Sequence, residues 1–333
     1  MANYNKNSGY GRGLVDFVRT IVPTFGNILV VMNEDDSDEA NYQHTQEIFS
    51  PDPDGLVRFY TTVAAAYAAA ESNNNDVILV DANSTHSEAM ITVSKNRIHF
   101  IGMDGGGRLN SQGAKIGTPA TDVAASTAVI RNTGTRNTYR NLKIIQSGTN
   151  AAQVSGFVDE GEGTFCKNCQ FEVNSLLTTV TQGLLFAGDT CHYEKCQIGN
   201  STVIHNVSAQ APLTIAKTNG KYARYSYFVD CNIIQYTTKT NSPCAQILTT
   251  TGMIGWISFQ NCNFISANLG DGTTAGGTMA VAFENACTSG YLLLDNRCTS
   301  YNATIFTSVS AYNLLAGTVG DTATDGGVAV AGA

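Results

Sequence analysis

Carboxylates are the residues through which this 333-residue chain could do chemistry. The densest group is Asp159-Glu160-Gly161-Glu162, followed along the chain by Glu172, Asp189, Asp230, Asp271 and Glu284. Hydrolysis of a glycosidic bond needs two carboxyl groups about 5 to 9.5 Å apart, one donating a proton and the other acting as nucleophile or base. Asp159 and Glu160 are adjacent in a glycine-bounded stretch, and Asp230 and Asp271 stand at turn positions, so solvated turns account for them. An enzyme would bring two or three of these acids into one groove with perturbed ionisation. A structural protein would leave them dispersed.

Other candidates lack a complete constellation. Cys166 and Cys169 form a C-x-x-C with no second pair to complete a zinc site. His44, His86, His99, His192 and His205 show no metal spacing, and Gly102-Met-Asp-Gly-Gly-Gly-Arg108 lacks the Gly-Lys-Ser/Thr ending of a phosphate loop. The acidic run Glu34 to Glu39 lacks the glycine and terminal glutamate of a calcium loop. No catalytic residue, cofactor or metal ligand is therefore assigned.

The elements that must position these residues are repeats. Phe165-Cys-Lys-Asn-Cys169-Gln-Phe171, His192-Tyr-Glu-Lys-Cys196-Gln-Ile198, Phe228-Val-Asp-Cys231-Asn-Ile233 and Phe259-Gln-Asn-Cys262-Asn-Phe264 share one pattern, and Tyr139-Arg-Asn-Leu142-Lys-Ile144 carries Leu in the cysteine slot. From Leu142 the slots lie 27, 27, 35 and 31 residues apart, a period that fits solenoid coils with loops of variable length. Alternation points the slot residue and the residue two later into a core, with Gln, Asn or Lys between them outward. Stacked coils would place Leu142, Cys169, Cys196, Cys231 and Cys262 in one ladder about 4.8 Å apart. Buried thiols in a reducing compartment suit the odd total of nine cysteines. Asn141, Asn168, Asp230 and Asn261 precede the slots and read as turn formers.

Upstream, Phe59 to Ala70 is alanine-rich with apolar residues at Phe59, Val63 and Tyr67, which predicts a short helix. Asp76-Val-Ile-Leu-Val80, Ala89-Met-Ile-Thr-Val93 and Arg97-Ile-His-Phe-Ile-Gly102 predict strands. This succession resembles the opening of pectin-lyase-fold proteins, and with the Asn-Cys-x-Phe coils the resemblance covers residues 55 to 300. It implies an all-β, right-handed, single-stranded parallel β-helix, with an N-terminal helix capping the first coil. Ala187-Gly-Asp189-Thr-Cys-His-Tyr-Glu-Lys-Cys196-Gln-Ile-Gly199 is similar to the pectin methylesterase segment before Gln-Asp-Thr-Leu-Tyr, whose Asp is a catalytic carboxylate. Ser201 fills that position here. The family's Asp-Phe-Ile-Phe-Gly signature has no counterpart, and the sole tryptophan, Trp256, lies in Ile254-Gly-Trp-Ile rather than beside an arginine.

Composition completes the expectation. Hydrophobic residues make up 43% and charged residues only 14%, so the surface is covered by Asn, Ser, Thr and Gly. A net charge of −8 argues against nucleic acid or an anionic membrane as partner. Neither a secretory core nor a membrane span is read in the sequence. Residues 1–55 break the coil rhythm and read as a separate attachment segment, with an apolar patch of Leu14, Phe17, Val18, Ile21 and Val22. Residues 56–315 read as the β-helix, and 316–333 as a flexible Gly/Ala-rich tail. These features point to a non-catalytic bacteriophage virion protein assembled in the host cytoplasm, an auxiliary or decorating capsid protein or a tail fibre or spike. The expected partners are two further copies in a homotrimer, capsid or tail proteins held through the N-terminal segment, and host surface carbohydrate. The alternatives are a polysaccharide-processing enzyme (hydrolase, lyase or esterase) and a carbohydrate-binding β-helix. The last would expose an aromatic row, to which Tyr222, Tyr225, Tyr227 and Tyr236 could contribute, although ordinary sheet packing explains their alternation.

Overall fold

The computed structural model describes residues 26–33, 42–43, 46, 57–82, 85–104, 113–119, 127–174, 180–249, 251–268, 279–308 and 314–316. Short strands follow one another in the order sheet A, sheet B, sheet C, and every pairing between named strands is parallel. One coil reads Phe165–Lys167 in sheet A, Gln170–Val173 in sheet B and Gln182–Phe186 in sheet C. Sheet A has eleven strands and sheets B and C eight each among the described residues. Stacking one such coil on the next produces a three-sided parallel β-helix.

The corner between sheets A and B is two residues long. Asn141, Asn168, Lys195, Asp230 and Asn261 occupy its first position with φ between 52° and 55°. Asn and Asp tolerate this left-handed conformation because their short polar side chains bond locally. Asn168 Nδ2 donates to Asn141 Oδ1 at 3.3 Å, and Asn261 Nδ2 to Asp230 Oδ1 at 2.6 Å. The backbone N–H of each corner residue donates to the coil above or below: Asn168 to Glu194 O at 3.1 Å, Lys195 to Val229 O at 2.9 Å and Asp230 to Gln260 O at 2.9 Å. The next residue of each corner is Leu142, Cys169, Cys196, Cys231 or Cys262, all wholly buried, and Cys298 occupies the same place one coil further. The register Lys143↔Gln170↔Gln197↔Asn232↔Asn263 sets these five directly above one another. Each thiol finds a carbonyl, as in Cys196 Sγ to Glu194 O at 3.5 Å and Cys262 Sγ to Phe228 O at 3.3 Å. All nine cysteines are buried thiols.

A second internal ladder is aromatic. Sheet A points Phe100, Tyr139, Cys166, Tyr193, Phe228 and Phe259 inward at one register position. Phe100 stacks on Tyr139 at 5.1 Å, and Tyr193 on Phe228 and Phe228 on Phe259 at 4.8 Å each. Cys166 interrupts the run with a much smaller side chain.

At the N-terminal end, Ile28–Val31 pairs with both Val77–Val80 and Phe59–Tyr60. Ile28–Val31 thus belongs to sheet A, not to a separate segment ending near residue 55, because four buried apolar residues complete its face. Leu14, Phe17, Val18, Ile21 and Val22 lie outside the described residues, as does 317–333. The helix is shorter than its sequence predicts, Val63–Ala69, since Phe59 and Tyr60 are taken by strand pairing. Its ends are held by neighbouring coils. Thr62 Oγ1 accepts from Ala65 N, and the Glu88 carboxylate accepts from Val63 N at 2.5 Å and Ala64 N at 2.7 Å, placing negative charge at the positive end of the helix dipole. Lys95 Nζ donates to the carbonyls of Tyr67, Ala68 and Ala70 at the opposite end.

Two outcomes follow from the corner. Lys195→Asn is expected to stabilise the fold by about 1 kcal/mol, since Asn tolerates the left-handed region better than Lys; urea unfolding measures it, and unchanged or lower stability would refute the role given to this slot. The nine thiols should resist a thiol-specific reagent at pH 8 in the native state and all react in denaturant. Burial pushes Cys166, Cys191 and Cys196 up and Cys244 up to about 12, so little thiolate is present at these four, and burial itself keeps the reagent from the others.

Candidate functional site

The acids converge at the corner where sheet C passes into sheet A. Thr135, Glu162, Asp189 and Arg224 are successive bridge partners on four coils. Each is followed by a left-handed residue: Arg136 at φ 58°, Gly163 at 66°, Thr190 at 53° and Tyr225 at 50°. The same backbone turn repeats from coil to coil, so these four residues stand in a column. Beside it lies a groove of ≈ 300 Å³ lined by Thr133, Glu160, Glu162, Asp189, Lys221 and Arg224, among others.

Most of the groove's charge is paired. The Glu160 carboxylate, 2% exposed, accepts from Arg131 Nε at 3.1 Å and Nη2 at 2.9 Å, from Thr218 Oγ1 at 3.0 Å and from Asn219 Nδ2. Arg224 Nη2 meets Asp189 Oδ2 at 2.6 Å. Asp189 Oδ1 is buried and accepts no hydrogen bond from the described residues. Glu162 is exposed and forms no ion pair among the described residues. A chain of sugar or peptide entering the groove would therefore meet one uncommitted carboxylate flanked by an arginine-bound one.

Asp159 has a different place. Its strand Ser155–Asp159 sends Phe157 and Asp159 inward, so the carboxylate lies within the solenoid and is wholly buried. Tyr193 Oη donates to Oδ2 at 2.6 Å, and Asn132 Nδ2, Thr164 Oγ1 and Gly161 N donate to Oδ1 at 2.9, 3.0 and 3.0 Å. Asn137 Nδ2 extends the cluster to Asn132 Oδ1 at 2.9 Å. Burial raises the Asp159 pKa above the usual carboxylate range, and the four donors offset only part of this. The cluster sits beside Cys166, where the aromatic ladder is interrupted.

The remaining candidates do not join the groove. Glu172 lies on the outer face of sheet B with Lys143 Nζ at 2.9 Å, and burial raises its pKa. Asp230 is a corner residue, Glu284 is exposed on sheet C, and Asp271 and His44 lie outside the described residues. Burial lowers the pKa of His99 to about 4 and also lowers those of His192 and His205. No group of three or more His, Cys, Asp or Glu that could hold a metal ion occurs among the described residues. Tyr222 lies at the groove, with Lys217 Nζ 4.5 Å from its ring centroid, and Tyr236 is half-buried on sheet B. Tyr225 and Tyr227 are exposed, against the packing explanation, and both touch Trp256.

The column of Thr135, Glu162, Asp189 and Arg224 escaped sequence reading, yet its signal was present. Its members are 27, 27 and 35 residues apart, the same intervals that separate Leu142, Cys169, Cys196 and Cys231. Subtracting seven from each slot position recovers all four.

No family model matches the chain, and no curated protein matches it in sequence. Among solved structures, a pectin methylesterase from Aspergillus niger superposes with a TM-score of 0.51 at 16% identity, covering 87% of this chain and 83% of that one. Pectate lyase Pel9A gives 0.52 at 13% identity, covering 88% and 73%. This chain has the pectin-lyase-like parallel β-helix fold. At such identities the likeness extends to the fold alone. Geobacillus virus E2 ORF18 superposes with a TM-score of only 0.31 at 13% identity, covering 84% of this chain and 60% of that one, too loosely to bear on function. Within this β-helix no described helix is long and apolar enough to cross a membrane.

Asp159 makes the site's internal support testable. Asp159→Ala would leave four donors without their acceptor and is expected to cost about 3 kcal/mol or more. Because the native carboxyl titrates above its unfolded value of about 3.9, the stability it contributes is complete below that pH and declines as pH rises through the native value. The stability of the wild type relative to Asp159→Asn should therefore fall as pH rises above about 4. A pH-independent difference would show that the carboxyl is not raised.

Proposed function

We propose that this β-helix is a non-catalytic structural protein of a bacteriophage virion, either an auxiliary or decorating capsid protein or a tail fibre or spike. Glu160, Glu162 and Asp189 share one groove, as an enzyme would require; what supports the non-catalytic reading is that most of the coil acids are already committed. Glu160 is clamped by Arg131, Asp189 by Arg224 and Glu172 by Lys143, while Asp159 is spent inside the core. A carboxylate oxygen already held by an arginine is not free to meet a substrate. The phage assignment is supported by the sparsely charged, Asn/Ser/Thr/Gly-rich composition and by an N-terminal stretch that departs from the coil rhythm. In this reading the stretch before Ile28 grips capsid or tail proteins, the helix Val63–Ala69 closes the first coil, and three copies associate side by side.

Glu162 favours a second reading, a polysaccharide-processing enzyme, because it stands uncommitted in the groove one coil from Asp189. Light scattering and depolymerisation assays separate the two. The structural reading expects an elongated trimer, three times 35.3 kDa, that releases no reducing ends or esters from polysaccharides. A monomer whose turnover disappears in Glu162→Gln would replace it with the enzyme.

A further inference from the structure

The outer face of sheet A carries a strip of aromatic rings that neither the groove nor the core uses. At one outward register position stand Phe165, His192 and Tyr227 on three successive coils. Ring centroids are 5.4 Å apart for Phe165 and His192, and 6.0 Å for His192 and Tyr227. Two residues nearer the corner, Tyr225, Trp256 and Tyr291 continue the strip, with Trp256 4.8 Å from Tyr227 and 5.9 Å from Tyr225, and paired in register with Tyr291. Tyr225, Tyr227 and Tyr291 are 43%, 38% and 52% exposed. We propose that this strip is a binding site for a neutral polysaccharide chain running along the solenoid axis.

The rings are held rather than loosely displayed. Tyr225 keeps a left-handed backbone, which costs a non-glycine residue about 1–2 kcal/mol. Gly255, itself at φ 77°, leaves room for it: a Cβ there would lie 2.5 Å from Tyr225 Cε1. One face of the Tyr225 ring is thus pressed onto bare backbone, with Trp256 edge-on beside it. Aromatic rings with few rotatable bonds give contact area at low entropic cost.

The surroundings select the occupant. The strip is one ring wide on each coil except that of Tyr225 and Tyr227, where it is two. Along one side run Arg140, whose guanidinium lies 4.9 Å from the Phe165 ring centroid, and the Lys167–Glu194 pair at 2.6 Å. Along the other run Glu162 and the Asp189–Arg224 pair. A second protein copy would bury a broad apolar core within a polar rim. A sugar chain instead presents narrow apolar faces edged by hydroxyls, which fits a strip one or two rings wide between rows of hydrogen-bonding charge. The C–H groups of a pyranose face meet the negative face of an aromatic ring favourably. Coils rise about 4.8 Å each, close to the length of one hexose, so successive sugars can meet successive coils. The acidic chain, at −8, disfavours a polyanionic glycan.

The test is retention of the full chain on an array of neutral hexose and N-acetylhexosamine oligosaccharides, read for the wild type, Tyr227→Ala, Tyr291→Ala and Gly255→Ala. Trp256, the sole tryptophan, reports binding of any retained oligosaccharide in solution through its emission. The expected result is retention of a neutral oligosaccharide by the wild type, at least tenfold weaker binding by Tyr227→Ala and Tyr291→Ala, and a shift in Trp256 emission. Trp256→Phe supplies a conservative variant that keeps an aromatic ring and should retain part of the affinity. Melting curves show whether each variant is folded. No retention, or retention that survives both tyrosine variants, overturns the proposal. So does a change of oligomeric state in those variants without loss of sugar, which would give the strip to a second copy. These readouts are independent of turnover and of virion assembly, so they stand or fall separately from the proposed function.

Discussion

Register between coils is the constraint on which every other feature rests, and the corner between sheets A and B enforces it. A parallel strand can slip along its neighbour, and a slip of one residue turns its core face outward. Here the corner admits two residues, one left-handed and one buried, so the bend occurs at the same point on each coil. The left-handed N–H donates to the neighbouring coil, and the slot residue's carbonyl accepts from the next, as in Gln197 N to Cys169 O at 2.9 Å and Asn232 N to Cys196 O at 2.9 Å. The hydrogen bonds between coils therefore resume on both sides of the single peptide that makes the bend. The slot side chain must also be compact and apolar, because it lies inside the turn with another such turn above it, and Leu142 or cysteine fills it. Cysteine meets this need and satisfies its thiol on a nearby carbonyl.

Fixed register copies position from coil to coil, inside and outside alike. Inside, it aligns Phe100, Tyr139, Tyr193, Phe228 and Phe259 into stacked pairs, the geometry in which ring quadrupoles are compatible when offset. The small Cys166 between Tyr139 and Tyr193 leaves volume that the polar cluster of Asn132, Asp159 and Thr164 occupies. A buried carboxylate is tolerable there only because four hydrogen bonds reach it, from Gly161 and Thr164 on its own coil and from Asn132 and Tyr193 on the coils either side. Outside, the same copying stacks Glu162 on Asp189 and Phe165 on His192. Like charges stacked on adjacent coils would repel; Arg131 and Arg224 answer Glu160 and Asp189, and Glu162 alone remains open.

The coil motif was legible because a two-residue corner imposes a short, nearly invariant string, Asn-Cys-x-Phe or a close relative. Alternation then told inward from outward residues without any coordinates. That the strand Ile28–Val31 joins sheet A was not, since its partners Val77–Val80 and Phe59–Tyr60 lie 49 and 29 residues away with no repeat to announce them. Asp159 was read as a solvated turn because a carboxylate in a Gly-bounded stretch ordinarily is one. Its inward direction depends on the strand Ser155–Asp159 continuing to its last residue, which periodicity alone does not decide. The exposed tyrosines were masked by the same alternation that core packing produces. Only the sheet's outer face, known from the register, distinguishes Tyr227 from Phe228.

The fold leaves function to whichever residues the coils present outward, and the two outward columns here differ in kind. The corner column is charged and largely self-neutralised, which suits holding coils together or orienting a polar group. The sheet A strip is aromatic, rigidly seated and flanked by charge on both sides. A rigid apolar surface one or two rings wide loses little entropy when it is covered, yet it offers too narrow a face for a large protein interface. Regular coil spacing then matters physically: a polymer with a repeat close to the coil rise can place each unit on an equivalent ring, and the weak contribution of a single ring is multiplied along the axis.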